Sequence, residues 1–371
     1  MTRLRDAAAV GAGVAKGVAR RRGSVACFAE TGRPGWQGTE ERHGRKAARQ
    51  GIRIQSGSGK AAPPVTPLLH LRCGDDLRSR LHSAGIAGEY LCFADPVCVG
   101  PAQDDGDLMA WLGMRARYVA LHAGQDPAAV RLRLGREYAA LNGLHRREAV
   151  WLWFEHDLWD QAALIRILSL LAEKRLLRGK LLLLPADGER SFPALSDAEL
   201  GALHPAPLSD LQIEQAAEAW AAFAAPDPRG LDALSRRELA LPFLAAALRR
   251  HLRDLPWTTD GLGETERRAL RAIAAGATDE AAVFQRLQDG DPVFHVTDLI
   301  VREVINRLRQ GPNRLVSRDE QLHPTPRGAA VLAGTDRFRP PPRFHAGVHV
   351  LPDPPWFWDP AQAAVVPGAK A

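Results

Sequence analysis

The stretch AVWLWFEHDLWDQAALIRILSLLAE, residues 149–173, decides the fold of this chain. Its first part is apolar and aromatic as far as Glu155 and His156 and contains no Gly or Pro, which predicts a buried strand. The part from Asp157 onward carries apolar side chains at helical spacing, so it predicts a helix directly after that strand. A buried strand followed by a helix is typical of a parallel sheet.

Three further runs around this stretch read as strands, and helical patterns separate them. Because these strands are apolar throughout, we predict an α/β domain at residues 66–190, with a Rossmann-like parallel sheet covered by helices on both faces. The strand-like runs are LLHLRC (68–73), GEYLCFAD (88–95) and GKLLLLP (179–185), and the longer helices are predicted at 107–121 and 127–143.

Polar residues follow each predicted strand. Parallel sheets bind ligands at the carboxyl ends of their strands, so these residues predict a pocket there. Carboxylates and an imidazole can hold a metal, transfer a proton or accept hydrogen bonds from sugar hydroxyls, and the pattern singles out no metal or cofactor. The catalytic candidates are Glu155, His156 and Asp157, and the ligand-binding candidates are Gly74, Asp75, Asp95, Gly100, Asp160 and Gln161; Asp76 and Asp187 lie at further strand ends.

Structural roles compete with these functional ones. Asp75 or Asp76 can cap the helix that follows, and Asp157 with Asp160 resembles a capping box. His156 can equally be a structural histidine. Since neighbouring strand residues face opposite sides, we expect one of Glu155 and His156 to reach the pocket.

Several familiar sites are missing from the sequence. No GxGxxG follows the first strand, and neither GxxxxGK[ST] nor GxSxG occurs, which disfavours dinucleotide-binding, P-loop and serine-hydrolase chemistry. Cys73, Cys92 and Cys98 match no zinc spacing and are predicted core residues. Four cysteines in 371 residues do not make a disulfide scaffold, and no apolar run is long enough to span a membrane, so we expect a cytoplasmic protein.

The net charge of +6 comes from one segment. Residues 1–60 hold 13 Lys and Arg against 4 Asp and Glu, which leaves 36 basic and 39 acidic residues in the remainder. The predicted segment 1–62 is either a disordered basic arm that contacts nucleic acid or the product of a mis-assigned start, and the second interpretation is favoured. The slightly acidic remainder lacks the clustered basic residues that nucleic-acid binding requires.

The C-terminal half divides into three predicted parts. An Ala- and Leu-rich helical segment spans 191–258, and three helices with two short strands at 259–334 resemble a winged-helix module. That module carries 10 Arg against 11 Asp and Glu, so packing or protein contact is favoured over DNA binding. The Pro- and Trp-rich tail, 335–371, is predicted to fold back on the body.

Several of these stretches together resemble a bacterial family known only as a domain of unknown function, the one numbered eighteen thirty-five. The resemblance covers most of residues 66–360 and implies the same architecture without a known reaction. Val99 stands where the family pattern carries an acidic residue, and Asp76 where it more often carries Ser. The motifs are HLRCGDD, ADPVCVGP, WFEHDLWDQ, AWAAFAAPDP, LPFLAAALRRHLRDLP, TPRGAAVLAG and AGVHV with WFWD.

Three functions are compatible with the sequence. The first is a small-molecule-binding protein or enzyme with its pocket at the sheet's C-terminal edge, for which a phosphorylated or nucleotide-like ligand is the first choice. The second is a ligand-sensing transcriptional regulator that uses the winged-helix module. The third is a protein-interaction scaffold without catalysis.

Overall fold

The computed structural model describes residues 68–291 and 293–368. Its fold is mixed α/β, with a five-stranded, mostly parallel sheet and twelve α-helices among the described residues. This confirms the α/β part of the predicted fold class. The predictions for segment 1–62 lie outside the described residues.

The sheet holds the four predicted strands in parallel, in the order β2-β1-β3-β4-β5. Arg72 is in register with Cys92 on one side and Trp153 on the other, so three strands end at the same level. The short β5 runs antiparallel at the edge and was not predicted, because two residues carry no periodicity. The strands are β1 (Leu69–Arg72), β2 (Glu89–Cys92), β3 (Val150–Trp153), β4 (Leu181–Leu183) and β5 (Ala206–Pro207).

Side chains of β3 alternate between two hydrophobic layers, as the strand geometry requires. Val150 and Leu152 pack into the large core, whereas Trp153 belongs to a smaller cluster with Leu77 and Phe192. Both faces of the sheet are therefore covered, as the continuous apolar run predicted.

Helices connect the strands. The helix that follows β3 begins at Asp157, whose side chain accepts hydrogen bonds from the amides of Trp159 and Asp160. This confirms the capping role of Asp157. The helices of this region are α1 (Arg78–Ser83), α2 (Leu108–Ala123), α3 (Pro127–Asn142) and α4 (Leu158–Leu171).

Eight helices follow β4. The hydrophobic core continues from α4 into the helices packed against it, so it crosses the predicted boundary near residue 191. These helices are α5 (Asp197–Gly201), α6 (Asp210–Ala224), α7 (Arg229–Leu234), α8 (Leu244–Leu252), α9 (Glu264–Ala274), α10 (Glu280–Gln288), α11 (Asp298–Arg309) and α12 (Pro326–Leu332).

The predicted wing differs from the structure. The three predicted helices are present as α9, α10 and α11, but one isolated antiparallel bridge, Val316 to Pro324, stands in place of two strands. Pro324 has no N–H for a ladder, and the Arg309 side chain binds the carbonyls of Ser317 and Asp319 in the turn. The winged-helix assignment is therefore not confirmed.

The tail folds back on the body, as predicted. The amide of Gly347 donates to the Phe223 carbonyl, and Trp358 exchanges backbone hydrogen bonds with Pro256 and Thr258. A side chain at position 347 would collide with the Ala224 carbonyl, which explains the glycine. The tail forms two hairpins, β6 (Arg343–His345) with β7 (Val348–Val350) and β8 (Trp356–Asp359) with β9 (Ala364–Pro367).

Candidate acidic site at the strand ends

Arg72, the last residue of β1, is the centre of a buried polar network. Its Nε and Nη2 bind both carboxylate oxygens of Asp76, at 2.7 and 2.9 Å. Nη2 also donates to Glu155 Oε1 at 3.0 Å, and Nη1 donates to the Trp153 carbonyl at 3.1 Å. Only 4% of Arg72 is exposed. The guanidinium thus fixes the ends of β1 and β3 against each other.

Three carboxylates surround this arginine from the segment after β3. Glu155, Asp157 and Asp160 are all buried, and one oxygen from each lies within 4.8 Å of the other two. We call these three residues the acidic cluster. Such a spacing lets three carboxylate oxygens coordinate one cation.

Hydrogen bonds hold each carboxylate of the acidic cluster in place. Asp160 Oδ2 accepts from the amide of Glu155 at 2.6 Å, and Glu155 Oε1 accepts from the amide of Phe192 at 2.7 Å. Asp160 therefore does not complete the predicted capping box with Asp157, because its side chain turns back toward the end of β3. The cluster is rigidly placed by backbone groups.

Burial controls the protonation of the cluster. Burial, reinforced by the charge of Glu155, raises the pKa of Asp157 to about 7. Burial, reinforced by the charge of Asp157, raises the pKa of Asp160 to about 8, although Arg72 opposes this shift. Near neutral pH the cluster consequently retains protons that a bound cation would displace.

Two side chains beside the cluster complete its polar surroundings. The thiol of Cys73 donates to Asp160 Oδ1 at 2.6 Å, and burial together with the charge of Asp160 raises the pKa of Cys73 well above its ordinary value. Gln161 Nε2 donates to the Glu155 carbonyl at 2.6 Å, and its Oε1 is buried without a hydrogen-bond partner among the described residues. This oxygen can therefore bind a hard cation or accept a hydrogen bond.

The other predicted site residues after β1, β3 and β4 make contacts outside the acidic cluster. Asp75 pairs with Arg78 at 2.6 Å near the surface, and the Gly74 carbonyl accepts from Tyr90. His156 is half-buried, and its ring lies edge-on to Phe243 at 5.9 Å. Its Nδ1 has no hydrogen-bond partner in the described part of the chain. The exposed Asp187 binds the amides of the turn that follows β4.

Asp95 and Gly100 belong to a separate buried network after β2. Asp95 accepts from Arg115 Nε and from the Tyr138 hydroxyl, both at 2.8 Å, and is 1% exposed. Gly100 has φ +73°, and a side chain there would collide with the Tyr118 ring. Arg115 also binds the carbonyl of Pro101. These contacts shape the loop after β2, and they use both oxygens of Asp95.

The sequence reasoning missed Arg72, which organises the site. A charged residue at the end of an apolar strand, four residues before Asp76, is the signal that points to a buried ion pair. Burial alone would raise the pKa of Asp76, but the charge and the hydrogen bonds of Arg72, together with smaller contributions, outweigh burial and lower that pKa. The charge of His295, in the segment before α11, acts in the same direction.

The arginines of α11, the third helix of the predicted winged-helix module, bind groups within the protein. Arg307 binds Glu266 and Glu303, while Arg302 lies 3.6 Å from Glu280. Arg309 binds backbone carbonyls of the following turn. Engaged guanidinium groups are poorly placed to read bases, so these contacts support packing rather than DNA binding.

No protein-family model, curated protein or solved structure matches this chain. The family resemblance noted from the sequence therefore stays a prediction. None of the helices in the described ranges is both long and apolar enough to cross a bilayer.

Proposed function

We propose that the protein binds a divalent cation at the acidic cluster and, through it, a small phosphorylated ligand at the C-terminal edge of the sheet. The observation that carries the proposal is the convergence of Glu155, Asp157 and Asp160 within 4.8 Å inside the protein. Two of them, Glu155 and Asp160, share a single guanidinium, that of Arg72, with Asp76. An added cation would balance this excess of negative charge.

The ligand atoms favour a hard cation. Carboxylate and amide oxygens suit Mg²⁺ or Mn²⁺ better than they suit softer metals, and the unpartnered Gln161 Oε1 adds a fourth oxygen. The buried Cys73 thiol keeps its proton and donates to Asp160, so it supports the oxygen ligands and is not itself a ligand. Magnesium or manganese is the first choice.

The cation offers the route to a phosphate. Helix N-termini often bind phosphate, but Asp157 and the Val293 carbonyl already occupy the first amides of α4. A phosphorylated ligand would therefore bind through the metal, which keeps open positions for phosphate oxygens and water. We propose binding as the activity and assign no reaction.

The remaining predictions complete this proposal. We place the chain in the family of unknown function named above on its quoted motifs, and in the cytoplasm on its buried thiols Cys73 and Cys98. We assign α9, α10 and α11 as a winged-helix-like packing unit.

Calorimetric titration of the full chain with Mg²⁺ and Mn²⁺ tests the proposal. Wild type should bind the cation and release protons, which repetition in two buffers of different ionisation enthalpy would reveal. ADP or a sugar phosphate should bind more tightly with the cation present. Asp160→Asn should weaken cation binding by roughly tenfold or more. Asp75→Asn, which changes the same residue type outside the cluster, is the matched control and should bind normally.

Two results would contradict the proposal. One is the absence of cation binding and of proton release at millimolar Mg²⁺ and Mn²⁺ between neutral and mildly alkaline pH. The other is equal binding by wild type and a folded Asp160→Asn variant. If ADP or the sugar phosphate binds equally well with and without the cation, the metal site stands, but the ligand does not bind through the metal.

A further inference from the structure

A second polar site lies between the loop after β2 and the C-terminal module. Here the structure has a small cavity of about 40 Å³, measured as the space available to the centre of a water-sized sphere. Val99, Ile300 and Val304 give it apolar walls, and Arg343 and Phe344 of β6 also line it. The cavity volume corresponds to roughly three water molecules, which is enough for the polar group and the first carbon atoms of a small ligand.

Arg343 is the arginine of this cavity whose guanidinium still has unused hydrogen-bond donors. Its Nη2 donates to the Asp254 carbonyl at 3.1 Å and lies 3.7 Å from Glu266. Its Nε and Nη1 are buried and have no hydrogen-bond partner in the described part of the chain, and no other described arginine has two such nitrogens. The side chain is only 11% exposed. Buried donors without an acceptor are costly, so this guanidinium favours a partner that supplies one.

The neighbouring charges are already paired. Arg307, the other arginine of the cavity, donates from Nε to Glu266 at 2.9 Å and from Nη1 to Glu303. The second oxygen of Glu303 accepts from the Tyr118 hydroxyl, and the second oxygen of Glu266 accepts from the Gly263 amide. The carboxylates of Glu266 and Glu303 therefore already accept hydrogen bonds, whereas two nitrogens of Arg343 still lack an acceptor. A ligand that binds here must supply that acceptor.

The charge balance limits that ligand to a single negative charge. Glu266, Glu303 and Asp254, which pairs with Arg250, lie in the cavity wall, so a dianion such as a phosphate monoester would meet three carboxylates for one free guanidinium. An oxygen acid with one charge pairs with Arg343 without that repulsion. The apolar walls can take a short hydrocarbon chain.

We infer that this cavity binds a small monocarboxylate, with its carboxylate on Arg343 and its alkyl chain against Val99, Ile300 and Val304. Leu158 lines the cavity and directly follows Asp157, so the site adjoins the acidic cluster but uses different side chains. This site does not depend on the proposed cation. Asp160→Asn should therefore bind the monocarboxylate as wild type does. This variant distinguishes a failure of the cation proposal from a failure of the monocarboxylate proposal.

Calorimetry and thermal unfolding of the full chain with sodium butanoate test the inference. Wild type should bind butanoate and melt at a higher temperature in its presence. Butan-1-ol, which lacks the charge, and succinate, a dianion, should bind more weakly by roughly tenfold or more. Sodium chloride at equal ionic strength controls for salt.

Variants locate the site. Arg343→Gln should weaken butanoate binding by roughly tenfold or more. Arg327→Gln is the matched control, because Arg327 pairs with Asp336 outside the cavity, and it should bind as wild type does. Val99→Trp narrows the cavity while it keeps the guanidinium, so it should also lose butanoate and serves if Arg343→Gln does not fold.

Three results would overturn the inference. They are no binding of butanoate to wild type at high millimolar concentration, unchanged binding by both folded Arg343→Gln and Val99→Trp, and succinate binding as tight as that of butanoate.

Discussion

Nη2 of Arg72 lies 3.0 Å from Oε1 of Glu155, and this ion pair joins the last residue of β1 to the segment that leaves β3. The two strands are in register, with Arg72 opposite Trp153, so their ends place the pair at one level of the sheet. The same guanidinium holds Asp76 and lies 3.5 Å from Asp160. One buried cation thus positions carboxylates that would otherwise repel one another.

Arg72→Met should strongly destabilise the protein. The change keeps most of the side-chain volume but leaves Asp76 and Glu155 buried without their partner. Breaking one side of a buried ion pair costs about 3–5 kcal/mol, and we expect the free energy of unfolding to fall by that order. Urea unfolding measures it.

Arg78→Met is the control for Arg72→Met. Arg78 pairs with Asp75 near the surface, with half of its side chain exposed, and such pairs contribute roughly 0–1 kcal/mol. Equal losses for the two variants would show that Arg72 does not organise the site.

The stability of the metal-free protein should fall as the pH rises toward 8. An unfolded aspartate loses its proton near its ordinary pKa of 3.8, whereas burial raises the pKa of Asp160 to about 8 and that of Asp157 to about 7. The folded state binds more protons between these values, so the free energy of unfolding decreases with pH there, by up to about 1.4 kcal/mol per pH unit for each proton. Urea unfolding at several pH values measures the slope.

Asp160→Asn should flatten this slope, because asparagine does not titrate. It should not abolish it, since Asp157 remains and burial also raises the pKa of Glu137 to about 7. Mg²⁺ should stabilise wild type more at pH 8 than at pH 6, because the cation must displace the protons. A slope of the opposite sign in metal-free wild type would contradict the assigned protonation.

The sequence predicted the sheet far better than the site. Apolar strands and capped helices follow from local patterns, so β1 to β4 and the helix after Asp157 were found. Arg72 was missed because its partners, Glu155 and Asp160, lie more than 80 residues away in the chain, and no local pattern encodes such a contact. The wing at 314–325 looked like two strands, but Pro324 interrupts the ladder.

Asp95→Asn should act on stability and leave the cation site intact. Asp95 was a predicted ligand-binding residue, yet both of its oxygens are taken by Arg115 and Tyr138. Asparagine keeps the shape but removes the charge that compensates a fully buried guanidinium. We expect a loss of about 3–5 kcal/mol in the free energy of unfolding, with unchanged Mg²⁺ affinity in the folded protein. If Asp95→Asn weakens Mg²⁺ binding without a loss of stability, Asp95 is instead a ligand-binding residue, as the sequence predicted.

The acid side of the stability curve should depend on the stacked histidines of α8 and β6. The rings of His251 and His345 lie 3.9 Å apart, and burial lowers the pKa of His251 well below its ordinary value and that of His345 to about 4. Both rings are therefore neutral in the folded state, whereas the unfolded chain binds protons below the ordinary pKa of 6.5. The contribution of these two rings to the free energy of unfolding should therefore decrease as the pH falls from about 6.5 toward 4, opposite in sign to the contribution of Asp157 and Asp160.

His345→Gln should make the slope of the free energy of unfolding against pH more negative by up to about 1.4 kcal/mol per pH unit, because glutamine keeps a donor for the His251 carbonyl but cannot take up a proton. Urea unfolding between pH 4.5 and 6.5 compares the variant with wild type, a window taken from the two pKa values of His345. His82→Gln, on the exposed face of α1, controls for the loss of one histidine. An unchanged slope in His345→Gln would mean that this ring is not kept neutral by burial against His251.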